Sequence, residues 1–218
     1  PLNQIPAEII NACDYETAAP QFLADPVFAY LSGGSGRDQT SEENRLAFNR
    51  YRVFPRLLKK VANGHTGLTL LGKPFDHPIL LAPVAYQKLV HPLAELATAQ
   101  AAEATDSCMT CSTLSSFTLE DIAQQTGHRK WFQLYFQPNR ENTLSLLRRA
   151  ESAGYEAIIV TLDAAIQYPS ERAWRAGFQM PQEVTAANLP SDTSAIPHKQ
   201  TDAFEQKTSH TPDWSDLE

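Results

Sequence analysis

Large apolar side chains are interleaved with the hydrogen-bonding side chains of Gln133 and Tyr135 along the segment WFQLY, residues 131–135. If this segment is a β-strand, successive side chains point to opposite faces, so Trp131, Gln133 and Tyr135 share one face. Phe132 and Leu134 then share the other face and can pack into a core. An amide and a phenol that leave one strand in the same direction can hydrogen-bond a common ligand.

Polar side chains also follow the other predicted strands. The first strand ends in APVAYQ, the second ends in CSTLSS, and the fourth ends in Thr161 and Asp163, which share a face. Sites in α/β barrels and open α/β sheets form at the C-terminal ends of the strands. Any one of these side chains alone is more often a loop cap or a satisfied core hydroxyl. Together they favour a site that hydrogen-bonds a flat ligand with a polar edge.

An alternation of strands and helices from residue 78 onward positions these strand ends. The segments PILLAPVA, CMTCST, KWFQLYF and EAIIVTLD have strand character, and helical segments lie between them. This alternation predicts a parallel sheet with crossover helices. Upstream, residues 14–54 have helical character and TGLTLLGKPFDHP predicts a short hairpin. Residues 183–213 are polar with little periodicity, which predicts a long mobile loop or a disordered segment.

Charge and composition exclude several classes of partner. The formal net charge of −7 and the pI of about 5.4 argue against a nucleic-acid partner, which usually needs a basic face. No apolar run approaches the ~18 residues of a membrane span, and the N-terminal residues lack the pattern of a secretory signal. Three sparse cysteines fit a reducing compartment better than a disulfide framework. We therefore expect a cytoplasmic protein without a nucleic-acid or membrane partner.

Two further pairs of residues are interpreted as structural, without a role in a functional site. Cys108 and Cys111 are three residues apart on a predicted strand and so face opposite sides, which favours buried thiols over a metal or redox pair. We assign no metal site. Arg148 and Arg149 lie on a predicted helix, where they are expected to form a solvated face.

The chain resembles a known family through five segments that occur in the family's order, namely YLSGGSGRDQTSEENRLAFNRYRVFPRLL, LLGKPFDHPILLAPVAYQKLVHP, WFQLYF, RRAESAGYEAIIVTLDA and WRAGFQMP. They resemble the FMN-dependent α-hydroxy-acid oxidases and dehydrogenases, which include glycolate oxidase, lactate oxidase and mandelate dehydrogenase. The resemblance runs from about Asp14 to Met180 and resumes at WSDLE.

This resemblance implies an α/β fold, the TIM (β/α)8 barrel. The chain would cover the N-terminal helical extension and about the first four βα units. We expect residues 1–76 to form the extension with a short hairpin and residues 77–182 to form the first half of the FMN-binding barrel. Residues 183–218 would be the mobile polar loop that leads to the second half of the barrel.

The resemblance also implies FMN as the cofactor, held at the C-terminal mouth of the barrel. The backbone of Pro83, Val84 and Ala85 would pass beside the N5 edge of the flavin. The polar edge of the isoalloxazine ring would receive hydrogen bonds from three side chains, those of Ser112, Gln133 and Thr161.

Substrate and catalytic roles follow from the same resemblance. Tyr135 would contact the substrate hydroxyl or carboxylate, and Tyr30 would reach the carboxylate from the N-terminal segment. Asp163 would hydrogen-bond the catalytic histidine, fixing its tautomer as a triad aspartate does. None of the six histidines fits the family's Ser-Asn-His-Gly-like motif, so we expect the catalytic histidine beyond Glu218 and expect residues 1–218 alone to be inactive.

One departure from the family lies in TLDAAIQYPSERAWRAGF, after the fourth strand. The family usually has a proline here, followed by an arginine that clamps the substrate carboxylate. Ungapped counting places Ala165 at the proline and Ser170 at the arginine. Arg172, two residues later, either substitutes as a substrate ligand or is an ordinary surface residue.

The activity implied for the whole protein is oxidation of an L-2-hydroxy acid to a 2-keto acid, with dioxygen or another acceptor taking the electrons. Its implied partners are the C-terminal half of the same barrel and further copies of itself, as a tetramer. Two alternatives stay open. The first alternative is a flavin oxidoreductase of the same family that acts on a different or larger substrate, with Tyr86 and Leu114 lining the substrate site. The second is a non-catalytic relative.

Overall fold

The structure is a computed structural model that describes residues 4–60, 62–127, 129–163, 170–190 and 214. The chain divides into two compact units, one of Pro1–Ala62 with Gln167–Pro181 and the other of Asn63–Ile166 with Gln182–Glu218. The division at residues 76 and 182 that the sequence suggests stays a prediction.

The α-helices and β-strands of the described residues are α1 (Ala12–Ala18), α2 (Asp25–Ser32), α3 (Gln39–Ala47), β1 (Leu68–Leu70), β2 (Lys73–Phe75), β3 (Leu80–Leu81), α4 (Ala94–Ala104), β4 (Cys108–Ser112), α5 (Leu119–Ala123), β5 (Lys130–Leu134), α6 (Arg140–Ser152), β6 (Ala157–Val160) and α7 (Glu171–Arg175).

The first unit contains helices α1, α2, α3 and α7, and local sequence signals explain where they begin. Asn11 caps α1 by accepting hydrogen bonds from the Cys13 and Asp14 N–H groups, while the Asp14 carboxylate accepts from the Asn11 N–H. This reciprocal pair is a capping box, which satisfies backbone donors that a helix start leaves free. Ser170 caps α7 in a similar way by accepting from the Ala173 N–H. Helices α1, α2 and α3 confirm the predicted helical character over much of residues 14–54, but residues 51–54 form no helix.

The second unit opens with the predicted hairpin of β1 and β2, which pair antiparallel with Leu70 opposite Lys73. Leu71 and Gly72 form the turn with φ of 48° and 75°. A two-residue turn with φ positive at both positions matches the twist of the flanking strands. Glycine adopts this conformation without strain, and Leu71 is held in it by the turn.

A parallel sheet of strand order β3-β4-β5-β6 forms the centre of the second unit within the described residues. Helix α4 connects β3 to β4, α5 connects β4 to β5, and α6 connects β5 to β6. Each strand therefore lies beside the next one in the chain, as it does in an α/β barrel. The predicted alternation of strands and crossover helices is confirmed.

The core lies between this sheet and its helices. From β4 and β5 it receives Cys111, Phe132 and Leu134, and from the helices it receives Leu119 and Leu146, all 2% exposed or less. Cys108 and Cys111 are both buried free thiols, as predicted, and burial raises the pKa of each to about 11. Phe132 and Leu134 thus occupy the apolar face that alternation assigned to them.

The segment 183–190 differs from the mobile loop that its polar composition predicts. Val184, Ala186 and Asn188 are buried, and the Asn188 carboxamide oxygen accepts a hydrogen bond from the Leu119 N–H at 2.8 Å. The sequence missed this anchoring because one buried amide, without periodicity around it, is enough to fix a loop. Residues 191–213 of the predicted loop lie outside the described residues.

The prediction of a solvated face was wrong for Arg149. Its guanidinium donates two hydrogen bonds to the Glu120 carboxylate, at 2.7 and 2.9 Å, and a third to the Asn188 backbone oxygen at 3.1 Å. An (i, i+1) pair of arginines points in two directions on a helix, so Arg148 and Arg149 have different surroundings. Within the described residues, no helix is long and apolar enough to span a membrane.

Candidate active site

Ser112, Gln133 and Thr161 form a hydrogen-bonded cluster at the carboxyl ends of three adjacent strands. The Gln133 Nε2 donates to Thr161 Oγ1 at 2.9 Å, and the Ser112 hydroxyl donates to Gln133 Oε1 at 3.3 Å. Ser112 and Gln133 are 4% and 2% exposed, while Thr161 is half-buried. The three side chains predicted to face the flavin edge therefore lie together, with Thr161 at the more accessible end.

Strand register explains why these side chains meet. Ser112 pairs with Gln133 across β4 and β5, and Gln133 pairs with Ile159 across β5 and β6. Thr161 lies two residues beyond Ile159 and so points to the same face. The face opposite the core carries the polar groups, because the core face is filled by Phe132 and Leu134.

Thr113 holds this cluster from behind. Its hydroxyl donates to the Gln133 backbone oxygen at 2.6 Å and accepts from the Tyr135 N–H at 3.1 Å. Its own N–H donates to Gln133 Oε1 at 3.3 Å. The backbone and the side chain of Gln133 are thus fixed by one neighbour, which sequence reasoning did not single out.

Tyr135 follows β5 and is half-buried beside Asp163. Burial, followed by the negative charge of Asp163, raises the pKa of the Tyr135 phenol above its ordinary value of 10.0. The phenol therefore stays protonated at neutral pH and is able to donate a hydrogen bond. Asp163 is exposed at the same end of the sheet, so the predicted catalytic pair lies at the polar cluster.

Pro83, Val84 and Ala85 follow β3 at the same edge of the sheet, and Val84 is 49% exposed. The loop after them is fixed by Glu95, a fully buried carboxylate in the first turn of α4. Glu95 Oε1 accepts from the Gln87 N–H at 3.1 Å and from the Ser116 N–H at 2.9 Å. This carboxylate joins the loop after β3 to the loop after β4, and sequence reasoning missed it.

Tyr30 lies in the first unit, where its ring stacks on Phe178. The ring centroids are 4.2 Å apart and the planes differ by 9°. Burial raises the pKa of the Tyr30 phenol, so this hydroxyl also stays protonated at neutral pH. An apolar stack on one side leaves the hydroxyl as the polar end of the side chain.

Arg172 lies on α7, in the same unit as Tyr30. Its Nη2 pairs with Asp38 Oδ2 at 2.5 Å, and its Nη1 donates to Ser32 Oγ at 3.2 Å. The Gly34 N–H and Arg172 lower the pKa of the Asp38 carboxyl, in that order, so the pair is ionised at neutral pH. The guanidinium proposed as a substitute clamp is therefore already engaged by a carboxylate.

Ser170 takes a structural position in place of a clamp. Its Oγ accepts from the Ala173 N–H at 3.3 Å, and its backbone forms an isolated bridge with Gly36. Serine is a preferred N-cap because its short side chain reaches the free N–H groups of the first turn. The departure from the expected arginine thus has a local reason in the start of α7.

Comparison with known proteins places these features in a family. A family model described as FMN-dependent dehydrogenase matches residues 19–218. The chain belongs to the FMN-dependent dehydrogenase family. This confirms the resemblance of the five sequence segments, and it makes the four-stranded parallel sheet of the described residues part of a TIM barrel.

Members of the FMN-dependent dehydrogenase family resemble the chain along most of its length. An L-lactate oxidase of Alicycliphilus denitrificans is 52% identical over all of this chain and 60% of its own length. A 4-hydroxymandelate oxidase of Amycolatopsis orientalis is 41% identical over 93% of this chain and 56% of its own. A crystal structure of mandelate oxidase with (S)-4-hydroxymandelic acid superposes with a TM-score of 0.85 at 39% identity, covering 94% of this chain and 59% of that one. The chain thus spans under two thirds of these relatives.

The polar cluster fits the cofactor of the FMN-dependent dehydrogenase family. The isoalloxazine ring carries carbonyl acceptors and a ring N–H along one edge, and the cluster offers an amide and two hydroxyls that can serve both kinds of group. The Gln133 amide nitrogen carries two N–H groups, and only one of them is needed for the hydrogen bond to Thr161. The residues present therefore suit a flavin ring edge.

Proposed function

We propose that the protein containing this chain oxidises a 2-hydroxy acid to a 2-keto acid with FMN as the cofactor. The observation that supports this most directly is the cluster of Ser112, Gln133 and Thr161, which lies with Tyr135 and Asp163 at the carboxyl ends of adjacent strands. The reaction removes two protons and two electrons in all, one proton from the hydroxyl group and the other from the α-carbon. When bound, FMN would accept the two electrons. Dioxygen or a separate electron acceptor would then reoxidise the flavin.

In this proposal the chain contributes orientation and hydrogen bonding. Ser112, Gln133 and Thr161 hold the polar ring edge, and the backbone of Pro83, Val84 and Ala85 lines the ring. Because these groups are tied to one another before any ligand binds, little reorganisation is needed on binding.

Tyr135 is proposed to donate its phenolic hydrogen to the substrate oxygen. Because its pKa is raised, the Tyr135 phenol keeps its hydrogen at neutral pH, so it can donate to the substrate but cannot serve as the base. Asp163 is proposed to orient the catalytic histidine, which we place in the part of the protein that the longer relatives have beyond this chain's match. Tyr30 is proposed to hold the substrate carboxylate with its protonated hydroxyl.

The substrate is proposed to differ from the small acids whose carboxylate is bound by two arginines. Ser170 caps α7, and Arg172 pairs with Asp38 and Ser32. A substrate carboxylate would have to compete with Asp38 for Arg172. This favours a hydroxy acid with a larger body, held in addition by walls such as Tyr86 and Leu114, as the second candidate function.

A turnover test addresses both candidates. The complete protein, loaded with FMN, is mixed without oxygen with lactate, glycolate and mandelate, and the visible flavin absorption is followed. We expect bleaching with at least one 2-hydroxy acid, fastest with the larger mandelate if the second candidate holds. A flavin that stays oxidised with every acid would contradict the proposed activity and favour a non-catalytic relative.

A further inference from the structure

Asn188 is a buried amide that joins the segment after α7 to the loop after β4. Its Oδ1 accepts from the Leu119 N–H at 2.8 Å and from Arg149 Nη2 at 3.2 Å. Its Nδ2 donates to Ser115 Oγ at 2.8 Å and to the Thr113 carbonyl oxygen at 3.5 Å. Since the first two partners can only donate and the Thr113 carbonyl can only accept, a carboxamide suits this position and a carboxylate does not.

The contacts of Asn188 continue to the cofactor cluster through one residue. The Thr113 carbonyl oxygen accepts a hydrogen bond from the Asn188 amide. The Thr113 N–H donates to the side-chain oxygen of Gln133, and the Thr113 hydroxyl donates to its backbone oxygen. Gln133 in turn donates to Thr161. A continuous chain of hydrogen bonds thus runs from Asn188 to the amide that faces the proposed flavin edge.

Arg149 and Glu120 hold Asn188 from the other side. Arg149 binds both Glu120 oxygens and both the side-chain and backbone oxygens of Asn188. The hydrogen bond from Arg149 lowers the pKa of the Glu120 carboxyl, so the pair is ionised at neutral pH. Two helices, α5 and α6, therefore fix the position of the amide whose other end meets Thr113.

We propose that Asn188 is a positioning residue that sets the orientation of the Gln133 amide through Thr113, and with it the affinity for FMN. This inference rests on the proposed function in that the ligand of Gln133 is taken to be FMN. Asn188 touches neither cofactor nor substrate in this proposal. Its effect passes through hydrogen bonds of the loop after β4.

The substitution Asn188→Asp separates anchoring from positioning. The aspartate keeps an oxygen for Leu119 and Arg149, so the segment stays attached. Its second oxygen, however, replaces the donor that faces the Thr113 carbonyl and Ser115 Oγ, whose hydroxyl already donates to the Phe117 carbonyl. Repulsion there is expected to displace Thr113 and, with it, Gln133.

Two measurements on the complete protein test the proposal. In the apo-protein, the side-chain amide resonance of Gln133 is recorded by NMR, and the dissociation constant for FMN is measured by fluorescence quenching. We expect Asn188→Asp to shift the Gln133 resonance and to raise the dissociation constant about tenfold. A matched control is Thr126→Val, which removes a partly buried hydrogen bond to Glu103 ahead of β5; it should lower the melting temperature and leave both readouts unchanged.

The outcomes separate the positioning role from general stability and from the proposed function. An unchanged Gln133 resonance and dissociation constant in Asn188→Asp would overturn the proposal, as would an equal change in Thr126→Val. If Asn188→Asp does not fold, Ser115→Ala removes one acceptor of the same amide and should still raise the dissociation constant about threefold; no rise there also overturns it. Wild-type protein that binds FMN but oxidises no hydroxy acid would refute the proposed function alone, because the apo-protein resonance reports on the hydrogen bonds directly.

Discussion

The two units of the chain are stabilised in different ways. Among the described residues, the buried apolar side chains of the first unit are Ala29 and Ala173, whereas the second unit buries Phe132, Leu134, Met109 and other large side chains. The first unit relies on the stack of Tyr30 on Phe178 and on exposed ion pairs such as that of Arg172 with Asp38. The proposed cofactor groups and Tyr135 are therefore preorganised by a core, whereas the proposed substrate group of the first unit, Tyr30, is held by a ring stack.

Removing a buried carboxylate should have the largest effect on the second unit. Glu95→Ala leaves the Gln87 and Ser116 N–H groups without their acceptor, and each donor left unsatisfied costs about 1–3 kcal/mol. We expect the free energy of unfolding in urea to fall by about 4 kcal/mol. Glu151→Ala, an exposed position on α6, is the control and should change it by less than about 0.5 kcal/mol. Equal losses in the two variants would show that Glu95 is not a buried anchor.

Gln133→Met tests the cofactor cluster with a side chain of similar length. The Ser112 hydroxyl and Thr161 lose their amide partner, and a buried unpaired polar group costs about 1–3 kcal/mol. We expect about 3 kcal/mol lower stability and protein that purifies without FMN. The control is Gln100→Met, in which the exposed amide bonds only to half-buried Gln125 in the described part of the chain. Full flavin content in Gln133→Met would contradict the assignment.

Tyr135→Phe should affect turnover without affecting the cofactor. The phenol is proposed to bind the substrate, while Gln133 and its neighbours bind the ring. Loss of a hydrogen bond to a charged group costs about 1.5–3 kcal/mol, so turnover should fall by roughly tenfold to a hundredfold. Steady-state rates and flavin content are measured on the same preparation. A variant that loses FMN would make Tyr135 a structural residue of the cluster.

Substitutions at positions 170 and 172 test the weaker first unit. Ser170→Arg restores the guanidinium that small carboxylates favour and should lower KM for lactate about tenfold, which corresponds to about 1.4 kcal/mol. Arg172→Ala should change that KM only about twofold, because Asp38 and Ser32 already occupy this guanidinium. A steep rise in KM for Arg172→Ala, with no gain for Ser170→Arg, would make Arg172 the substrate clamp.

Acid should loosen the first unit through Asp38. The pKa of this carboxyl is lowered in the folded state, so its stabilising contribution is present above the ordinary value of 3.8 and is lost as the pH falls below it. We expect amide hydrogen exchange in α3 and α7 to become faster, after correction for intrinsic rates, as the pH falls below about 4. Asp38→Asn should already exchange faster at neutral pH and should show no further change on acidification. If amide hydrogen exchange in the wild-type protein does not depend on pH in this range, the stability of these helices comes from the stack of Tyr30 on Phe178 instead of from Asp38.

The sequence predicted the second unit better than the first for a physical reason. Strand side chains have a period of two, so placing Phe132 and Leu134 in the core automatically placed Gln133 on the polar face with Ser112 and Thr161. The hairpin and the crossover helices followed from equally local patterns. The family resemblance, and not the pattern, identified the ligand of that face.

Local patterns could not predict the long-range polar contacts. Asn188 and Arg149 meet across 39 residues, and Arg172 meets Asp38 across 134. Nothing in the polar composition around Asn188 distinguishes a buried amide from a solvated one. Glu95 gave a faint signal, since an acidic residue in the first turn of a helix suits the helix dipole, but its burial depends on two loops that only the fold brings together.

The close approach of Gly33 to Ser170 affects how this protein could be redesigned. A Cβ at position 33 would collide with the Ser170 Oγ and would lie 2.7 Å from the Ala29 backbone oxygen, which cannot rotate away. Substitutions at the two positions are therefore expected to be non-additive. A combinatorial library that varies residue 170 to change substrate preference should keep glycine at 33, because sequences with any other residue there would be lost before selection on activity begins.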